Sequence, residues 1–430
     1  MARLRFGLWL QGAVGKPTRQ GVAGACLAAV ACSSPGSVAL RGGSSDDASL
    51  PAAMGGSGSS SMMQPPNSRA DGDAAAPQVD TDSTLSRSND AAAGGADAPA
   101  PIDSTPSLPP PNPARDAFLS MLRAIAQPIP ALAPALMPAT TSNGVLRQDF
   151  SFASTPTWRV PGTLRKSANA AGRLPVAIVL HETGADRESG NVLDIVNAMV
   201  GRGFLAVAIS GRYFGAGGGN PAYIAAIKAA DANPGHDYPF LYDTVWDAMC
   251  LIDYLVTRDD VDPQRIGMTG ISKGGMETTL AAFADPRVAA AAPIIGVQSF
   301  EWGLENNAFQ ARAQSLGDAV PNPTDAASVR LFYDRVAPGL LQMFDGPQVL
   351  PQVAPRPLLV IAGNQDPRNA IGGVKLVMDA TNAAYVRAGA ADRVKLFAAD
   401  VGHDGAYAPF HQAAEMWLDE WLGNHPAADQ

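Results

Sequence analysis

Cysteine is scarce in this chain: three in 430 residues, too few to staple a fold. Two of them, Cys26 and Cys32, lie near the start, so Cys250 is alone in the body of the chain and no disulfide can form there. Stability has to come from buried apolar surface. Aromatic residues are missing altogether from residues 33–117, a stretch made mostly of Ala, Ser, Gly, Pro and Asp. Such a segment has too little apolar surface to offset the entropy of ordering, and it reads as disordered. An excess of positive charge is also lacking. With 31 Lys and Arg against 40 Asp and Glu, the net charge of −9 counts against a nucleic-acid partner. The five histidines do not converge with Cys or carboxylates at metal-ligand spacing, so no metal and no cofactor is expected.

The first 31 residues carry Arg3, Arg5, Lys16 and Arg19 and no acid, followed by a small apolar run over residues 21–31. This is the pattern of a secretion signal, and its apolar run of about eleven residues is too short to span a bilayer. Ala29-Val30-Ala31-Cys32 resembles a bacterial lipobox, which would make Cys32 a lipidated first residue of the mature chain. Cys26, after Ala23-Gly24-Ala25, is a second candidate, and plain secretion with a small-residue cleavage site is the alternative. Cleavage would make the chain four charges more negative. Residues 32–112 then form a linker, with a reach of roughly 50 Å if fully flexible. It would tether one domain, residues 113–430, to a cell-envelope membrane, or leave it secreted.

That domain is rich in Val, Ile, Leu and aromatics. A short helix is expected over residues 116–129, ended by Pro128 and Pro130, and extended segments over 145–152 and 157–164. β-branched runs at 175–180 and 204–209 flank a helical stretch at 191–202, which implies a parallel βαβ unit. The alternation continues with a helix over 242–258, a strand over 265–269, a helix over 274–284 and a strand over 288–295. After an interruption come a strand over 357–362, a helix over 373–389, a strand over 394–398 and a helix over 411–423. The fold class is α/β, with a doubly wound, mostly parallel sheet. The interruption, about residues 296–353, holds Phe300, Trp302, Phe309, Phe332, Tyr333 and Phe344. Ligands in such folds sit beyond the carboxyl ends of the strands, where an insertion makes a cap-like cover. Most of its aromatics should simply pack it onto the body.

Gly270-Ile271-Ser272-Lys273-Gly274 means little by itself in a chain with 43 glycines. Its context gives it weight, because it follows a predicted strand and opens a predicted helix, as a nucleophile elbow requires. In enzymes built on such an elbow the acid and then the histidine follow in chain order. Asp366, in Gly363-Asn364-Gln365-Asp366, follows one strand, and His403, in Asp400-Val401-Gly402-His403-Asp404, follows the next. Ser272, His403 and Asp366 are therefore the candidate nucleophile, base and orienting acid. Asp404 is the alternative acid, disfavoured because it is adjacent to the histidine. An oxyanion hole would use the backbone N–H of Lys273 and one from the loop after residues 176–180, Thr183 first and Glu182 second. His181 reads as a brace for that loop, while His236, His411 and His425 read as solvated.

As a set, Gly-Ile-Ser-x-Gly-Gly-Met at 270–276, Pro-Ile-Ile-Gly-Val-Gln at 293–298, Ala-Pro-Gly-Leu at 337–340, Ala-Pro-Arg-Pro-Leu at 354–358 and Asp-Pro-Arg at 366–368 are specific. They cover most of the domain, which resembles the dienelactone hydrolase and acetyl xylan esterase branch of the α/β-hydrolases, shading into prolyl-oligopeptidase-like enzymes. The resemblance implies the same roles for Ser272, Asp366 and His403. His181-Glu182 matches the His-Glu pair of dienelactone hydrolases, but those use Cys where this chain has Ser272, which counts against a cyclic dienelactone. Lys273 occupies a place that is often apolar or aromatic, and is expected either to favour anionic substrates or to reach solvent. The function implied is hydrolysis of a small-molecule or carbohydrate-linked carboxylic ester. A peptidase or acyltransferase, and a catalytically silent surface-binding lipoprotein, are the alternatives.

Overall fold

A computed structural model describes residues 112–405 and 407–424. The expected secretion signal, Cys32, the linker up to residue 111 and His425 lie outside those residues. A ten-stranded sheet runs through the domain. Its strands are β1 (Ala135–Leu136), β2 (Thr140–Ser142), β3 (Val145–Thr155), β4 (Trp158–Ser167), β5 (Leu174–Leu180), β6 (Leu205–Ile209), β7 (Val261–Ile271), β8 (Val288–Ile294), β9 (Leu358–Gly363) and β10 (Val394–Ala399). Their order is β1-β3-β4-β6-β5-β7-β8-β9-β10, with β2 paired to β3. From β6 to β10 every neighbour is parallel, and β1 to β4 extend the sheet as an antiparallel flank. This is the α/β-hydrolase order, with the switch at β5 and β6.

The continuous apolar runs of the central strands follow from burial on both faces. Successive residues point to opposite sides. Val176, Ile178 and Leu180 of β5, with Leu205, Val207 and Ile209 of β6, therefore join a core that includes Val245, Leu251, Ile252 and Leu280. Ala177 and Val179, with Ala206 and Ala208, face Val192, Ile195, Trp417 and Leu418 on the other side. The first group packs under the helices Tyr242–Leu255 and Lys273–Ala284, the second under Gly190–Gly201 and Tyr407–Leu422.

The interruption between β8 and β9 contains the helices Phe300–Glu305, Gln310–Gln314, Ala326–Val336 and Gly346–Val349. Phe300, Phe309, Phe332, Tyr333 and Phe344 are buried. Tyr333 and Phe300 pack on Phe240, and Phe344 packs on Phe118 and Tyr242. These aromatics thus fasten the insertion to the body. The helix Asn220–Ala232 has no counterpart among the sequence expectations: its stretch is dominated by alanine, with Pro221 at its start and no sharp apolar stripe. The final helix begins at Tyr407, four residues before the expected His411. His411 consequently turns into the core and is 4% exposed, contrary to the solvated position expected of it. Burial pushes its pKa down. His236 lies exposed in its loop, as expected.

Candidate active site

β7 runs directly into the helix Lys273–Ala284, and Ser272 is the residue at the turn. Its backbone stands at φ 53°, ψ −108°, outside the relaxed regions for a residue with a Cβ. Close packing enforces this geometry. A Cβ on Gly270 would collide with the backbone of Gly274, and one on Gly274 with the carbonyls of Leu180 and His181. Only glycine lets β7, β5 and the helix approach so closely. The Ser272 N–H donates to Ile294 O at 2.9 Å, tying the turn to the end of β8.

The loops after β9 and β10 are joined by backbone hydrogen bonds, Asn364 N to Ala399 O at 2.7 Å and Gln365 N to Val401 O at 3.0 Å. This join sets Asp366 beside His403. The Ser272 Oγ lies 2.8 Å from His403 Nε2, and His403 Nδ1 lies 2.7 Å from Asp366 Oδ2. With its proton on Nδ1, facing the carboxylate, the imidazole turns an acceptor lone pair toward the serine hydroxyl. Ser272, His403 and Asp366 are 7%, 5% and 3% exposed, so the hydroxyl–imidazole–carboxylate line is shielded from bulk water. Burial pushes the Asp366 carboxyl up, but its hydrogen bond to His403, the histidine's charge and the N–H groups of Arg368 and Asn369 outweigh this. Its pKa falls below the ordinary value. Asp404, the alternative acid, is exposed and instead meets the Tyr407 hydroxyl at 3.1 Å and Arg368 at 3.8 Å.

Glu182 and Thr183 line the same cleft as Ser272 and His403, a space of about 310 Å³. Lys273 opens the helix, where first-turn N–H groups have no intrahelical acceptor. His181 is 2% exposed; its Nδ1 donates to Glu182 O at 2.8 Å and its Nε2 accepts from Gly211 N at 2.9 Å. Burial, with Lys273 adding to it, pushes its pKa down to about 3, so the ring stays neutral and braces the loop. The Lys273 side chain behaves differently from expectation. It neither reaches solvent nor enters the cleft but is 1% exposed, paired with Glu277, 3.3 Å from Thr244 Oγ1 and over the rings of Phe214 and Tyr223. The tight elbow turns the first helical side chain inward, between the helix Tyr242–Leu255 and the loop after β6.

Two residues near the site carried no sequence signal that singled them out. Asn369 donates from its backbone N to Asp366 Oδ1 at 3.1 Å, and from its side chain to Asp366 Oδ2 at 3.2 Å and to Ile295 O. Arg312, in the short helix Gln310–Gln314, donates to Asn369 Oδ1 at 2.7 Å and lines the cleft. An arginine inside an aromatic-rich insertion is the only hint the sequence held.

Residues 242–425 match the model of the prolyl oligopeptidase family and residues 126–329 that of the X-Pro dipeptidyl-peptidase family. A Bacillus subtilis (strain 168) protein named as a hydrolase, YtaP, is 26% identical over 178 residues, 41% of this chain and 53% of its own length. The chain thus spans about half the length of that curated relative. Among solved structures, an acetyl xylan esterase from Paenibacillus sp. R4 superposes with a TM-score of 0.51 at 19% identity, over 74% of this chain and 98% of its own. A glucuronoyl esterase from Teredinibacter turnerae T7901 does so with a TM-score of 0.51 at 18% identity, over 71% and 83%. At such identity the likeness speaks for the fold.

Proposed function

We propose that the chain is a serine hydrolase of the α/β type that cleaves carboxylic esters, with Ser272 as nucleophile, His403 as general base and Asp366 as the acid that orients it. The observation that carries this reading is the unbroken Ser272–His403–Asp366 hydrogen-bonded line at a strained elbow, opening into a cleft. His403 takes the hydroxyl proton as Ser272 Oγ attacks the ester carbonyl. The tetrahedral oxyanion is met by the N–H groups of Lys273 and of Thr183 or Glu182. His403 then gives its proton to the leaving alcohol, and water activated by the same ring releases the acid.

Turnover of short 4-nitrophenyl esters by purified protein tests the proposal. Ser272→Ala should lower kcat by about 10³- to 10⁶-fold with the thermal melt unchanged. Wild-type rates in that variant would refute it. The two family models favour peptide cleavage as the second reading; hydrolysis of peptides with no activity on esters would put it first. The substrate class is a small or carbohydrate-linked ester. Export and lipidation at Cys32 are proposed on the sequence alone: Cys32→Ala should abolish incorporation of labelled palmitate in a bacterial host, equal labelling of that variant would move the anchor to Cys26, and a wild type that takes up no label would remove it.

A further inference from the structure

Two arginines among the described residues are buried: Arg212, 8% exposed, and Arg312, 4% exposed. Their surroundings differ in kind. Arg212 sits between two carboxylates, 2.8 Å from Asp247 and 3.5 Å from Asp243. Arg356, half-buried and also without a carboxylate, is satisfied by the backbone carbonyls of Ala282, Asp285 and Val288. Arg312 has neither arrangement. Its one hydrogen bond goes to Asn369 Oδ1, its Nε is sealed from solvent without an acceptor, and no carboxylate among the described residues lies within ion-pairing distance. Burial pushes its pKa down, and only longer-range attraction from groups such as Tyr333 and Asp366 opposes this.

A buried cation held so incompletely is costly unless an anion completes it. The side on which that can happen is the cleft, because Arg312 lines it together with Ser272, His403 and Arg368. We propose that Arg312 is a specificity residue that binds a carboxylate carried by the ester substrate, with Arg368 at the rim assisting. The inference rests on the esterase reading of Ser272 and deepens it by naming the substrate class: esters with a free carboxylate on the acyl or the alcohol part. A guanidinium suits this, since its planar fork pairs with a carboxylate through two parallel hydrogen bonds. The cleft also carries Glu182 and Asp404, so it has no surplus of positive charge to attract anions at large. Selection comes from the fixed, uncompensated position of Arg312.

A rival account gives Arg312 only the task of positioning Asn369, and through it Asp366. The two accounts separate on matched substrates. Two pairs serve: 4-acetoxybenzoate against 4-acetoxybenzamide, and the mono-4-nitrophenyl ester of adipate against the same ester with its far carboxylate converted to an amide. Wild type should favour the carboxylate member of at least one pair by about 10- to 100-fold in kcat/KM. Arg312→Gln should bring that ratio close to one, and Arg312→Lys should restore part of it. No carboxylate preference in either pair overturns the inference, as does an equal loss on both members in Arg312→Gln, which would leave the positioning role. Should Arg312→Gln fail to fold, the wild-type ratios decide alone. Fluorophosphonate labelling of Ser272 keeps the two failures apart. Labelled enzyme without a carboxylate preference leaves the esterase reading standing, whereas unlabelled protein inactive on all four substrates removes both.

Discussion

At the residue scale, His181 shows how a side chain that does no chemistry can still govern it. Its ring joins Glu182 O to Gly211 N–H in the loop facing Ser272, and only the neutral form with its proton on Nδ1 can do so. The folded pKa, about 3, lies below the ordinary value of 6.5. Between those values the unfolded chain binds the extra proton, so this contribution to stability is complete above about pH 6.5 and is lost as the pH falls toward 3. His181→Leu should lower stability by about 1–3 kcal/mol for each stranded backbone group. It should also flatten the acid limb of the stability–pH curve, measured by urea unfolding from pH 4 to 7. An acid limb identical to wild type would show that other groups set it. Asp366→Asn should leave the fold intact and reduce kcat by about 10⁴-fold, through loss of the correct imidazole tautomer, as read by ester turnover. Cys250 is buried with its thiol pushed up in pKa by desolvation, and should resist alkylation in the native state.

At the scale of elements, the site depends on how closely β7, β5 and the helix Lys273–Ala284 approach at the elbow. Gly274→Ala places a methyl group against the carbonyls of Leu180 and His181. Backbone cannot yield as a flexible side chain can, so the expected cost is on the order of 3 kcal/mol or more, visible as a drop in the thermal midpoint. A midpoint within a degree of wild type would contradict the packing account. The strand before Asp366, β9, and the second half of β7 before Ser272 were legible because they are buried and read as short, mostly apolar runs, whereas β10 before His403 is a largely exposed edge strand that its length and its place after a helix marked out. The residue after each run then marks a strand end. Lys273 was not legible: its side-chain direction is set by the turn and by the space beside Thr244 and Glu277, which no local pattern encodes. The short helices of the insertion escaped for a related reason. Each is under three turns or nearly so, and they are held by aromatic contacts such as those of Phe240 and Phe118 with distant partners rather than by helix periodicity.

At the scale of the whole molecule, the α/β order and the ordered trio of strand-end residues could be read from the sequence, because both follow from the alternation of apolar strands and amphipathic helices. The environment of the trio could not. Asn369 acts three residues from Asp366 and seventy-four from Ile295, and Arg312 enters the cleft from an insertion whose course is fixed only by tertiary packing. Exposure of the cleft to a substrate therefore follows from the assembled domain, not from any one segment. Whether Ser272 is an activated nucleophile is decided by its reaction with a fluorophosphonate probe, followed by peptide mass spectrometry. Covalent phosphonylation is expected at Ser272 in the wild-type protein, lost in Ser272→Ala and slowed in Asp366→Asn. Wild-type protein that stays unlabelled at Ser272 while folded would contradict it.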